Sequence, residues 1–240
     1  MIVDIFIPCY VDQYYPNTAA NMIKVLERLG CSVNYNVDQT CCGQPAYIDG
    51  YWDQCKKVGE KLIHEFQNDR YIVAPAASCV SMIKNHYAEL FHNTVLHNEY
   101  KSIKNKIYEF SDFLVNVLNA TDIGARLDAT ATYHDNCTAL RELQIKDAPR
   151  LLLSKVKGLT LLEMKDTELC CGAGGGLPRK FESIAVNMGE EKIRNASDSN
   201  AQYIISTDYQ CLMHMQGIIS KQQKPMKVMH IADVLASGWN

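Results

Sequence analysis

Residues Tyr71–Met82 read YIVAPAASCVSM, and residues Tyr203–His214 read YIISTDYQCLMH. Each stretch opens with a short apolar run, passes through a turn, and sets a cysteine, Cys79 or Cys211, where a helix should begin. A strand feeding directly into a helix is the building unit of a parallel α/β sheet. Two such units with the cysteine at the same point mark an internal repeat.

The repeat extends outward from both stretches. Upstream lie two vicinal pairs followed by glycine, Cys41-Cys42-Gly43-Gln44-Pro45 and Cys170-Cys171-Gly172-Ala173-Gly174. Further upstream stand Cys9 and Cys137. Equivalent cysteines are offset by 128, 129, 129 and 132 residues. Downstream, Ile107–Leu114 (IYEFSDFL) matches Val228–Leu235 (VMHIADVL). Cys31 and Cys55 have no counterparts and read as small buried apolar residues.

The chain has 240 residues, 47% of them apolar and 21% charged, enough for a sizeable core. A net charge of −3 gives no electrostatic reason to expect nucleic acid. No apolar run approaches the ~18 residues of a membrane span. The start, MIVDIFIPC, lacks a basic segment and reads as a first strand, not a secretory signal. Ten cysteines in a cytoplasmic chain point to metal binding before disulfides.

Apolar periodicity predicts strands at Ile2–Ile7, Cys31–Val37, Tyr71–Ala74 and Ile107–Phe110 in the first half. In the second half it predicts Thr130–His134, Leu159–Glu163, Tyr203–Ile205 and Val228–His230. Helical patterns separate them, including Asn17–Leu29, Trp52–Phe66, a helix capped by Ser78 and running to about Leu90, and Arg179–Arg194. The expected fold is two pseudo-symmetric Rossmann-like α/β lobes, each a parallel sheet flanked by helices. They should occupy residues 1–122 and 123–240, with a linker near 119–128.

Sites in open parallel sheets form at the carboxyl ends of the strands. Cys9, Cys41, Cys42 and Cys79 fall there in the first half, and Cys137, Cys170, Cys171 and Cys211 in the second. Cys79 and Cys211 also lie in a first helical turn, where free N–H groups favour thiolate. Four thiols per lobe suit an iron–sulfur cluster, expected to be [4Fe-4S]. Zinc in one lobe and redox-active thiols stay open, although no C-x-x-C pair of the usual zinc kind occurs.

A cysteine, Cys-Cys-Gly about 32 residues on, and a further cysteine about 37 residues later, twice over, resembles the cysteine-rich CCG-domain family. That family includes the B subunit of heterodisulfide reductase and the iron–sulfur subunits of glycolate oxidase and anaerobic glycerol-3-phosphate dehydrogenase. His134–Cys137 (HDNC), Arg141–Leu143 (REL), the CCGAGG run at Cys170 and Thr207–His214 (TDYQCLMH) are most similar to its lactate-utilisation subgroup. The resemblance implies an iron–sulfur electron-transfer subunit of a system oxidising L-lactate to pyruvate. It implies two partners, a ferredoxin-like iron–sulfur protein and a third subunit, and a cytoplasmic site reaching a membrane only through them. In heterodisulfide reductase each unit ends in C-x-x-C. Here Ala76 and Asp208 stand three residues before Cys79 and Cys211, leaving four thiols per half.

Smaller signals flank the cysteines. The run Gly172–Leu177 (GAGGGL) lacks the last glycine of a dinucleotide fingerprint and reads as backbone approaching a cluster. His134 and Asp135 are catalytic candidates as a proton-accepting pair, weighed against a strand-end histidine bonded to backbone. Arg141, Arg179 and Lys180 could offset cluster charge or simply face solvent, and His214 could be a donor or a packing residue. No hydride-acceptor motif is readable, so a thiol–disulfide reductase, a zinc-stabilised scaffold and a lone dehydrogenase using His134 remain the other classes.

Overall fold

A computed structural model describes residues 1–239. Its strands form two four-stranded sheets. The first contains β1 (Ile2–Ile5), β2 (Ser32–Tyr35), β3 (Tyr71–Ala74) and β4 (Ile107–Glu109) in the order β2-β1-β3-β4. The second contains β5 (Arg126–Tyr133), β6 (Lys157–Leu161), β7 (Tyr203–Ser206) and β8 (Lys227–His230) in the order β6-β5-β7-β8. Every pairing is parallel. The internal repeat is therefore a repeat of topology, and the α/β two-lobe expectation holds.

The register makes the repeat exact to the residue. Val3 pairs with Tyr71 and Ala131 with Tyr203, so β1 and β5 superimpose with Val3 on Ala131. The strands then continue equivalently. The N–H of Phe6 donates to the Val73 carbonyl at 3.0 Å, and that of His134 to the Ile205 carbonyl at 2.8 Å. Alternation along β1 sends Val3, Ile5 and Ile7 to one apolar cluster and Phe6 to another, as a sheet covered on both faces requires.

One of these clusters joins the lobes. Val3, Ile5, Met22, Val25 and Phe113 share it with Tyr133, Leu152, Ile204, Leu212 and Val234. The helix Pro16–Arg28 packs on Ile231–Leu235, and the equivalent helix Asp147–Ser154 packs on Phe110–Asp112. Polar contacts pin the first of these seams. Thr18 and Asn21 each donate to Asp233 at 2.9 Å, and Tyr15 stacks on Tyr209 with ring centroids 3.6 Å apart.

The structure departs from expectation at several elements. β5 starts at Arg126, inside the expected linker, because Arg126 is held by Ser237 and paired to Lys157 before a register shift. The helix after β3 is broken into Ala77–Ser81, a π-helical turn Met82–His86, and Tyr87–Phe91. The wide turn keeps Met82, Ile83 and Tyr87 all fully buried. Its N-cap is Ala76, not Ser78. Arg179–Arg194 is two helices, Leu177–Lys180 and Glu182–Asp198, divided at Phe181, whose backbone leaves the helical region (φ −143°, ψ 62°). Short helices at Cys9–Tyr14, Gln44–Ile48 and Cys137–Arg141, and a longer one at His97–Lys106, were not foreseen. Among the described residues no helix is long and apolar enough to cross a membrane.

Candidate metal centres at the carboxyl edges of the sheets

All eight cysteines of the repeat lie beyond the carboxyl ends of β1, β2, β3 and their counterparts. Cys9 and Cys137 open the short helices Cys9–Tyr14 and Cys137–Arg141. Cys79 and Cys211 are each the third residue of a helix, Ala77–Ser81 and Tyr209–Lys221. The vicinal pairs lie in the loops after β2 and β6. Gly43 and Gly172, at φ +81° and +85°, then turn the chain where only glycine is unstrained. A Cβ on Gly172 would meet the Ala185 carbonyl oxygen at 2.6 Å. The glycine is thus required by an approaching helix.

The two halves repeat the same sulfur geometry. Cys9 Sγ lies 3.9 Å from Cys41 Sγ. Gly43 N–H donates to Cys41 Sγ and Gly172 N–H to Cys170 Sγ, each at 3.4 Å. In the first half Cys42 and neighbouring Cys9 donate to Cys41, holding its thiol down to about 3. In the second, Cys137 and Cys171 hold Cys170 down to about 2. The donating thiols Cys9, Cys42, Cys137 and Cys171 are correspondingly pushed up. Cys211 is drawn down to about 6 by the hydrogen bond from Cys171, against the desolvation that burial imposes. Each half therefore holds sulfurs close enough to share protons, with thiolate already favoured at one or more of them.

His134 is fully buried, and neither ring nitrogen has a hydrogen-bond partner. One of its nitrogens and the sulfurs of Cys171 and Cys211 lie within 4.8 Å of one another. A buried polar group left unpaired costs about 1–3 kcal/mol. The residues therefore fit a bound metal or cluster that would supply the missing partner. Asp135 serves a different neighbour. Both its oxygens accept from Arg150 at 2.8 Å, and Arg150 also binds Glu163. His214 contacts the Ala185 carbonyl at 3.0 Å. Arg141 donates to the Glu168 carbonyl, whereas Arg179 and Lys180 pair with Asp49 of the other lobe.

The sequence by itself assigns no role to three residues beside the second set. Asn136 caps Cys137–Arg141 and donates its amide to Cys211 Sγ at 3.2 Å. Lys192 is fully buried, with Nζ on the carbonyls of Asp166 and Thr167 at 2.9 and 2.7 Å. Burial lowers it to about 8, with Cys171 and Asp135 acting in the opposite direction. Arg150 clamps Asp135 from the helix Asp147–Ser154. Only the capping pattern of Asn136, three residues after β5 and directly before a helix, is legible from the sequence.

One cleft passes beside both sets, and another opens on the first. One of about 200 Å³ between the lobes is lined by Tyr10, Gln44, Ala173, Arg179 and Gln210. Tyr10 and Gln210 each adjoin a cysteine, and Gln44 and Ala173 follow the two turn glycines. Another of about 290 Å³ opens on Cys9 and Cys41.

Two parallel α/β units, each with four thiols at its carboxyl edge, define a duplicated cysteine-rich domain protein. The family described as CCG, cysteine-rich domain, matches residues 3–84 and 131–216, and the chain belongs to that family. Along nearly its full length it is similar to proteins named Lactate utilization protein A. With that of Geobacillus sp. (strain WCH70) it is 40% identical over 237 residues, covering 99% of this chain and 100% of the relative. With that of Halalkalibacterium halodurans it is 41% identical over 235 residues, covering 98% and 96%. A solved structure of a hypothetical protein from Helicobacter pylori shares the fold, with a TM-score of 0.60 at 11% identity. That match takes in all of this chain and 49% of the other.

Proposed function

We propose that this chain is the iron–sulfur electron-transfer subunit of a cytoplasmic complex that oxidises L-lactate to pyruvate. The observation carrying the proposal is the placement of four cysteines at the carboxyl edge of each sheet, in a chain about 40% identical, end to end, to proteins named for lactate utilisation. Cys9, Cys41, Cys42 and Cys79 would hold one cluster in a unit spanning 1–122. Cys137, Cys170, Cys171 and Cys211 would hold the other in a unit spanning 123–240. A [4Fe-4S] cluster, when bound, accepts and passes single electrons.

The chain's own residues prepare the two sites. The Gly43 and Gly172 amides donate to Cys41 and Cys170 and favour thiolate there. Oxidation of lactate releases two electrons and two protons, so a carrier beyond this chain must accept the electrons. A ferredoxin-like iron–sulfur protein and a third subunit take that role in this proposal.

The test is anaerobic purification followed by iron, sulfide and zinc analysis, then an L-lactate assay with an artificial dye. Brown protein with about four irons per occupied lobe and matching sulfide is expected. Turnover is expected only after both partners are added. Robust turnover by the isolated chain, lost in His134→Ala at unchanged metal content, would assign catalysis here instead. Zinc in the second lobe is the alternative favoured by one observation, the mixed nitrogen and sulfur donors of His134, Cys171 and Cys211. Colourless protein with one zinc per chain would establish it.

A further inference from the structure

The two thiol sets match in their sulfurs but not in their surroundings. The strand register makes Phe6 and His134 equivalent, and with them Pro8 and Asn136. Phe6 belongs to the apolar cluster that contains Cys42, Cys55 and Cys79. His134, at the same place, turns an unpartnered imidazole toward Cys171 and Cys211. Pro8 has no polar side chain to offer, whereas the Asn136 side-chain amide donates to Cys211 Sγ.

A third difference lies on the helix behind each vicinal pair. The missing Cβ of Gly43 faces Cys55, and that of Gly172 faces Ala185, so these two positions correspond. Seven residues further along stand Leu62 in one lobe and Lys192 in the other, both buried. Lys192 is fixed by two carbonyls and stands near enough to Cys171, Cys170 and Cys211 to feel their charge. The second set is thus faced by an imidazole, an amide and an ammonium where the first has a phenyl ring, a proline and a leucine. Hydrogen bonds to cluster sulfurs and nearby positive charge stabilise the more negative, reduced cluster and raise its potential.

We propose that His134 donates a ring N–H to the group held by Cys137, Cys170, Cys171 and Cys211, and thereby sets the second site at a higher reduction potential than the first. Four thiolates already serve four irons, so the imidazole acts as a donor to sulfur and not as a fifth ligand. The second lobe is then the electron sink of the chain, and the first the lower-potential relay. This inference rests on the cluster reading given above.

The experiment uses the full chain, reconstituted anaerobically with iron and sulfide, in a redox titration followed by EPR. Two separate midpoint potentials are expected. His134→Phe should lower the higher one and leave the other in place. His134→Gln, which keeps an N–H, should recover part of the loss, and Phe6→His should raise the lower potential. Wild-type chain carrying ¹⁵N-histidine should show weak nitrogen coupling to one reduced cluster by pulsed EPR, a measurement that needs no variant to fold. Unmoved potentials in a fully iron-loaded His134→Phe protein would overturn the inference, as would wild type with no nitrogen coupling. Coupling of the strength of direct iron ligation would overturn it too, in favour of a ligand. Failure of the wild-type chain to take up iron would sink the cluster reading itself, and this inference with it. Iron uptake with unmoved potentials removes the inference alone.

Discussion

At Gly172 the backbone is left-handed and a Cβ would press on a fixed helical carbonyl at 2.6 Å; at Gly43 the nearest atom would be Cys55 Sγ at 2.9 Å. A side chain at such φ costs about 1–2 kcal/mol before any clash. Gly172→Ala should therefore lose ~3 kcal/mol or more in urea unfolding, and Gly43→Ala less, because a thiol can rotate aside. Equal losses would mean that strain alone decides. Among the cysteines, serine at 170, 171 or 211 should remove the second cluster's iron, whereas Cys55→Ser should not. Loss of iron from Cys55→Ser with retention in Cys211→Ser would reverse the ligand assignment. Glu109 carries a pH dependence. It is fully buried, and burial raises its carboxyl from 4.5 to about 8 despite bonds from Ser111 and Asp112. Between those values the unfolded chain has lost a proton that the folded one keeps, so stability falls as pH rises from 4.5 to 8. Glu109→Gln keeps the acceptor, should flatten that slope, and at pH 8 should gain stability on the order of 3 kcal/mol.

The helix that begins after β3 illustrates what a chain can and cannot announce about its elements. Its strand, its start near Cys79 and its apolar face were all legible, since each is a local pattern. Its cap was not. Ala76 has no side-chain acceptor to offer, and the Ser78 amide instead donates to Asp208 Oδ2 at 2.9 Å, 130 residues away. Asp208 Oδ1 meanwhile accepts from Gln210 of its own helix at 2.9 Å. One buried carboxylate thus starts both helices that carry Cys79 and Cys211. Each cap contributes about 1 kcal/mol, so Asp208→Ala should cost roughly 2–3 kcal/mol and Asp208→Asn much less. A loss below ~1 kcal/mol for the alanine variant in urea unfolding would refute the double cap. The π-helical turns Met82–His86 and Phe113–Val117 were invisible for a related reason. An extra residue in one turn is set by what the helix packs against, and composition does not record it.

For the molecule as a whole, the two-sheet architecture was readable because the duplication doubles every weak local signal. The approach of Cys171 to Cys211 was readable from strand ends alone. The partners of the charged residues did not. Asp135 meets Arg150, Arg179 meets Asp49 of the other lobe, and Lys192 is buried, because these pairings join segments 15 to 130 residues apart. Residues 1–122 or 123–240 expressed separately should be insoluble or molten, since each would bare its share of the common apolar cluster. Sharp, independent melting of either piece would show that the lobes are autonomous.

That common cluster also bears on how the protein breathes. Val3, Ile5 and Val73 of one sheet and Tyr133, Ile204 and Ile205 of the other are walls of one dry interior, so no opening can wet one side and leave the other closed. Backbone amides of β1, β3, β5 and β7 should then exchange with deuterated water at a single shared opening free energy, as one foldon. The helix His97–Lys106, which lies away from that interior and buries only Tyr100 and Ile103, should exchange well ahead of them.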